Sequence, residues 1–132
     1  MSTTSAAFAT KTSLSFEEAV ERCRQALAGE GFGVLSEIDV QATLKKKLGA
    51  EIEPYLILGA CHPPSAHKAL TAVPEVGVFL PCNVTVSVEG GKTVVRAMNP
   101  APVMEFLAHP ALEEVAAEVG GALQRVIDSV AG

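Results

Sequence analysis

The sequence lacks most of the features by which large functional classes are recognised. It contains no tryptophan, one tyrosine and five phenylalanines in 132 residues, so it offers no platform of aromatic rings for stacking bases. Acidic residues outnumber basic residues by 15 to 10, which gives a formal net charge of −5. Because such a surface repels phosphate backbones, we expect no nucleic-acid partner. The one basic cluster, residues 45–47, is too short to reverse this balance.

Long apolar runs and known catalytic motifs are also missing. No segment approaches the roughly 20 apolar residues that a membrane span needs, and residues 1–12 lack the basic start and apolar core of a signal peptide. We therefore expect a soluble cytoplasmic protein with no membrane partner, in which the three cysteines are thiols. The sequence has no CxxC, HExxH, P-loop or GxGxxG pattern, so no reaction class is indicated.

The residues that are present favour one globular domain over residues 1–132. Hydrophobic residues make up 48% of the chain and charged residues 19%, a balance typical of folded rather than disordered proteins. A chain of this size buries roughly two-thirds of its unfolded surface, which is enough for a true core.

Hydrophobic periodicity predicts an α+β fold, with a mixed or antiparallel sheet of five to six strands and helices packed on one face. The capping-box pattern Ser15 to Glu18 predicts the start of the first helix. The predicted helices start at Phe16 and Val103 and cover 41–48, 65–72 and 112–130. The predicted strands cover 6–13, 32–40, 54–61 and 92–98, with one extended segment from Val76 to Glu89.

Local patterns give sharper expectations. The turn Gly90-Gly91 joins two alternating strands, and its register sets Val86 opposite Val95 and Val84 opposite Ala97. The second strand is expected to place its apolar residues on one face, and Ser36 interrupts this series. The apolar residues are Phe32, Val34, Ile38 and Val40.

Glycines interrupt the last predicted helix at Gly120-Gly121. Each glycine costs about 1 kcal/mol relative to alanine in a helix. We therefore expect a close approach of this helix to the sheet or to another subunit.

Two cysteines lie at strand ends beside prolines, where a thiol can be reactive or bind a ligand. Cys61 ends a predicted strand and Pro63-Pro64 opens a helix directly after it, and the positive end of a helix lowers the pKa of a nearby thiol. Cys82 follows Pro81 at the start of another strand. If the two strands are neighbours, both thiols stand on one edge of the sheet. Cys23 lies on a helical apolar stripe and is expected to be a core residue.

Several short motifs occur in one order: Glu37–Val40, Thr43–Gly49, Tyr55–Cys61 and Leu80–Val84. In this order and spacing, from about Phe16 to Val130, the chain resembles domain-of-unknown-function family 302. The resemblance implies a compact two-layer α+β domain, met in small bacterial and archaeal cytoplasmic proteins and often dimeric. The resemblance implies that cysteines are typical of the family at positions 61 and 82, and it implies no established reaction. Members of the family often have asparagine where this chain has His62.

Three functional hypotheses remain open. The first is a non-catalytic binding module that holds a small ligand or a soft metal, Cu(I) or zinc, at Cys61 and Cys82. Asp39, Lys47 and Asn83 are candidate ligand contacts in this hypothesis, and His62 is a candidate third metal ligand, although adjacent strand residues point to opposite faces.

The second hypothesis is a thiol-based redox protein or enzyme, with Cys61 as the nucleophile and Cys82 as the resolving thiol. The third is a homodimeric interaction protein in which both cysteines are structural. Val94 and Met98 lie on the hairpin face opposite the valines and, with Gly120-Gly121, are its candidate interface residues.

Overall fold

The computed structural model describes residues 6–131, in which five strands and five α-helices are arranged as an α+β fold. The strands are β1 (Ala7–Thr12), β2 (Gly33–Asp39), β3 (Tyr55–Cys61), β4 (Cys82–Glu89) and β5 (Lys92–Met98). The α-helices are α1 (Phe16–Gly29), α2 (Val40–Leu48), α3 (Pro63–Ala72), α4 (Pro100–Leu107) and α5 (Pro110–Val130). The predicted fold class is confirmed.

The strands form one sheet in the order β1-β5-β4-β3-β2, and every neighbouring pair is antiparallel. Helices α1 and α5 contact each other and the sheet, and α3 and α4 contact α5. The core lies between the helices and one face of the sheet, and its fully buried side chains include Leu27, Leu58, Val84, Val86, Val95, Leu123 and Val126. Cys23 is part of this core, where burial raises the pKa of its thiol to about 12.

Short-range signals produced the expected local structure. The Glu18 N–H donates to Ser15 Oγ, and the Ser15 N–H donates to the Glu18 carboxylate, which completes the predicted capping box. Asp39 caps α2 by accepting from the Ala42 N–H at 2.9 Å. Gly49 ends this helix with a left-handed φ of 67°, a conformation that glycine adopts at no steric cost.

The β4–β5 hairpin has the predicted register. Val86 pairs with Val95 and Val84 pairs with Ala97. Gly90 and Gly91 have φ values of 58° and 80°, as a two-residue turn that follows the twist of its strands requires. All four paired side chains are buried in the core.

The expectation that β2 places its apolar residues on one face was wrong. The pairing of β2 with β3 shifts between Val34 and Ser36, so an extra residue, Leu35, is inserted at that point. A bulge of this kind reverses the alternation that follows it. Val34 therefore packs against the core, whereas Ile38 pairs with Ile57 and is 48% exposed.

The expectation of an extended segment from Val76 was also wrong, because Pro74–Phe79 forms a 3-10 helix. The N–H of Leu80 closes it by donating to the carbonyl of Gly77, and a cis peptide bond joins Leu80 to Pro81 before β4 begins. A helix with three residues per turn does not keep residues two apart on one face, and here Val76 is buried whereas Val78 is 81% exposed.

The glycines of α5 do not mark a close approach to the rest of the described chain. A Cβ added at Gly120 would meet the Pro100 side chain at 3.6 Å, and one at Gly121 would meet Arg125 Nη1 at 3.5 Å. Both are ordinary contact distances, so the sequence expectation is not supported within residues 6–131.

Candidate ligand pocket

A cavity of about 300 Å³ opens at the end of the sheet where β3 stops and β4 begins. Its walls come from the strand ends, from α3, α4 and α5, and from the segment before β4. Most of the lining side chains are apolar: Ala60, Ala66, Ala69, Leu80, Met104, Val115 and Val119. Leu35 and Leu70 lie at this cavity and are 69% and 40% exposed.

Small residues make the space for this cavity. Ala60 of β3 pairs with Cys82 of β4, and α3 turns Ala66 and Ala69 toward the same volume. On the opposite face of β3, Pro81 lies so close to Gly59 that an added Cβ would stand 2.9 Å from its Cγ. The absence of a side chain at Gly59 therefore lets Pro81, and with it the chain that leads into Cys82, lie this close to β3.

Both candidate cysteines line the cavity, as expected from the antiparallel pairing of β3 with β4. Cys61 is half-buried at the end of β3, and α3 begins directly after its N-cap residue His62. Cys82 is buried. Burial raises the pKa of the Cys82 thiol to about 11, with a further increase from the neighbouring Cys61, so Cys82 stays protonated at neutral pH.

A hydrogen-bonded chain of three side chains stands beside the cysteines. His62 Nδ1 lies 2.8 Å from Ser65 Oγ, and Ser65 Oγ donates to Glu118 Oε1 at 3.2 Å. The His62 ring packs against Phe32, with ring centroids 5.2 Å apart. His62 and Ser65 line the cavity, and Ser65 is buried.

Sequence reasoning did not find Ser65 or Glu118. Ser65 stands three residues after the helix N-cap, which is a weak local signal. Glu118 is 53 residues further along the chain, and its place outside the apolar stripe of α5 indicates only an exposed surface residue.

Three predicted ligand contacts lie elsewhere. Asp39 pairs with Leu56, five residues before Cys61 on β3, which places it about 17 Å from Cys61 along the strand. Lys47 is in the last turn of α2, and Asn83 is exposed opposite Gly59, on the face of β4 that Cys82 does not occupy. None of these three residues lines the cavity.

The ligand set for a metal is incomplete in the part of the chain that the structure describes. Residues 6–131 contain no group of three or more histidine, cysteine, aspartate or glutamate side chains placed to hold one ion. A structural zinc site takes four such ligands, and the predicted set of Cys61, Cys82 and His62 does not form one.

The candidate interface residues are not free surface residues, since Met98 packs against the core and Val94 is 1% exposed. Val94 pairs with Ser87 and is buried, and Met98 is half-buried. The homodimer stays a prediction.

These features define a small α+β domain with an apolar pocket at one end of an antiparallel sheet. A family model for the domain of unknown function DUF302 matches residues 8–130, and the chain belongs to this family. The chain is also similar to a crystal structure of an uncharacterized conserved protein DUF302 from Bacillus stearothermophilus. The two share 33% sequence identity and a TM-score of 0.88, over 94% of this chain and 97% of the other.

A comparison with curated proteins finds no match. Among the described residues, no helix combines the length and apolar character needed to cross a bilayer.

Proposed function

We propose that the protein is a non-catalytic binding module for a small, mainly apolar ligand held in the cavity beside Cys61 and Cys82. The observation that carries the proposal is the cavity itself, which is lined almost entirely by apolar side chains next to a few polar ones. Ligand sites have this composition, because apolar walls supply affinity and a few polar groups supply orientation.

The size of the cavity limits the size of the ligand. About 300 Å³ is at the lower end of the range of small-molecule sites. It corresponds to about ten water molecules at their liquid volume. A compact ligand of roughly ten to fifteen non-hydrogen atoms matches this volume, such as a single substituted ring.

The two other uses of the cysteines have less support. Cu(I) or zinc binding by Cys61 and Cys82 is favoured by their shared cavity, but among residues 6–131 no third metal-binding side chain is grouped with them. Burial raises the pKa of Cys82 to about 11, which opposes the thiol-redox alternative, because a resolving thiol must ionise to attack a disulfide. If Cys61→Ser/Cys82→Ser protein binds Cu(I) as well as the parent protein does, the metal alternative is wrong.

The proposal is tested by filling the cavity. Ala66 is half-buried and faces the cavity from α3, so Ala66→Phe places a ring where the ligand would bind. Ala42→Phe is the matched control, because Ala42 is exposed on α2 and does not line the cavity. Ethylbenzene serves as a neutral apolar probe.

At ten times its Kd, a ligand stabilises the folded state by about 1.4 kcal/mol, which raises the Tm of a protein of this size by about 4–7 °C. We expect this shift in the parent protein and in Ala42→Phe, and no shift in Ala66→Phe. Ala66→Leu repeats the test if the phenylalanine prevents folding. An equal shift in the filled variants, or none in the parent protein, would refute the proposal.

A further inference from the structure

The polar corner of the cavity, formed by His62, Ser65 and Glu118, has a defined direction of hydrogen bonding. We propose that the cavity selects neutral apolar ligands that carry one hydrogen-bond donor, such as a phenol or an alcohol, because the side chains of this corner present only acceptors. The inference rests on the proposed function and adds the chemical class of the ligand.

The direction follows from the number of protons available. The Glu118 carboxylate can only accept, and it lies 3.2 Å from Ser65 Oγ. The single hydroxyl proton of Ser65 therefore points to Glu118. Ser65 Oγ must then accept from His62 Nδ1, 2.8 Å away.

A second contact favours the same direction. His62 Nδ1 lies 4.0 Å from Glu118 Oε1, so the negative carboxylate stabilises a proton on Nδ1 rather than on Nε2. The hydrogen bond made by one ring nitrogen sets the tautomer of a neutral histidine. His62 Nε2 is then an unprotonated acceptor.

The hydrogen-bonding capacity that remains on the side chains of His62 and Ser65 is that of an acceptor. His62 Nε2 keeps a lone pair, and Ser65 Oγ keeps the second of its two lone pairs. A Cβ added at Gly31 would stand 3.4 Å from His62 Nε2, and Gly31 does not line the cavity, so Ser65 Oγ is the acceptor that this corner offers to a ligand. A ligand that brings a donor satisfies the corner, whereas an ether or ketone does not.

The same surroundings disfavour an anionic ligand. None of the described residues that line the cavity is a lysine or an arginine. The nearby Lys68 is already bonded to Glu114 at 3.0 Å. A buried carboxylate without a cationic partner loses its hydration at a high cost, and here it would also face Glu118.

Three matched ring probes test the inference: phenol, its methyl ether anisole, and benzoate. Titration calorimetry at about pH 8, where an ordinary imidazole is neutral, gives each Kd. A hydrogen bond of about 1 kcal/mol predicts that phenol binds about fivefold more tightly than anisole, and we expect no binding of benzoate.

Glu118→Gln separates the direction of the hydrogen bonds from the shape of the site. The glutamine amide can donate to Ser65 as well as accept, so the proton on Nδ1 is no longer fixed. We expect the phenol-to-anisole preference to fall toward one in this variant and to persist in Glu114→Gln. Glu114 lies one helical turn earlier on α5 and is bonded to Lys68 instead.

The ¹⁵N chemical shifts of the His62 ring show which ring nitrogen carries the proton, which the binding affinities do not show. The expected state of the parent protein is a protonated Nδ1 and an unprotonated Nε2, and Glu118→Gln should populate both tautomers. Equal affinity for phenol and anisole, or a protonated Nε2 in the parent protein, would overturn this inference alone. Failure of all three probes and of ethylbenzene to bind would refute the proposed function together with it.

Discussion

Replacing Gly59 by alanine is expected to destabilise the protein by about 2 kcal/mol, as typical overpacking of a buried site does. The new Cβ would overlap Ser36 Oγ and stand 2.9 Å from Pro81 Cγ. The serine hydroxyl can rotate away about χ1. The proline ring can move this Cγ only by changing its pucker, since its φ is fixed, so we expect the backbone that leads into Cys82 to shift as well.

Urea unfolding measures this loss directly, because the midpoint urea concentration and the slope of the transition give the free energy of unfolding. A loss of 2 kcal/mol corresponds to a fall in Tm of about 6–10 °C for a domain of this size. Gly33→Ala is the control, because Gly33 lies in the same sheet and an added Cβ there would meet nothing within 4 Å. If Gly59→Ala and Gly33→Ala have the same free energy of unfolding within about 0.5 kcal/mol, the inference that Pro81 packs too closely on Gly59 to admit a Cβ is wrong.

Two further variants test the energetics of the sheet and of α5. The hydrogen bond from Arg96 lowers the pKa of Glu89 to about 2. A carboxyl group with a lowered pKa stabilises the fold fully above its ordinary pKa, and this stabilisation is lost as the pH falls through the lowered pKa. Glu89→Gln should therefore cost on the order of 1 kcal/mol at neutral pH, since the pair is partly exposed. The difference from the parent protein should vanish as the pH falls from about 4.5 to 2, and its persistence at pH 2 in urea unfolding would contradict the assignment. Gly120→Ala should raise stability by up to about 1 kcal/mol, because the new Cβ meets Pro100 at an ordinary 3.6 Å; a loss in urea unfolding would show tighter packing.

The parts of the fold that were predictable depend on interactions within a few residues. The Ser15 capping box and the Gly90-Gly91 hairpin are local, so their residue patterns determine their geometry. The bulge at Leu35 was not predictable, since one inserted residue leaves the composition of the strand unchanged.

The candidate site was predictable only in part. The strand end and the prolines indicated Cys61 and Cys82, which do share a cavity. The position of Asp39 depends on the pairing of β2 with β3, which runs antiparallel and carries Asp39 away from Cys61. The bond between Ser65 and Glu118 joins distant parts of the chain, and no spacing rule connects a residue on α3 with one on α5.

The central claim, that the cavity binds a small apolar ligand, is tested most directly by methyl NMR during an ethylbenzene titration. The methyl groups of Ala69, Val115 and Val119 line the cavity and should shift with one common Kd. Those of Val94, buried on the opposite face of the sheet, should not move. Shifts at Val94 without shifts at the three cavity residues, or no shifts at all, would contradict the claim.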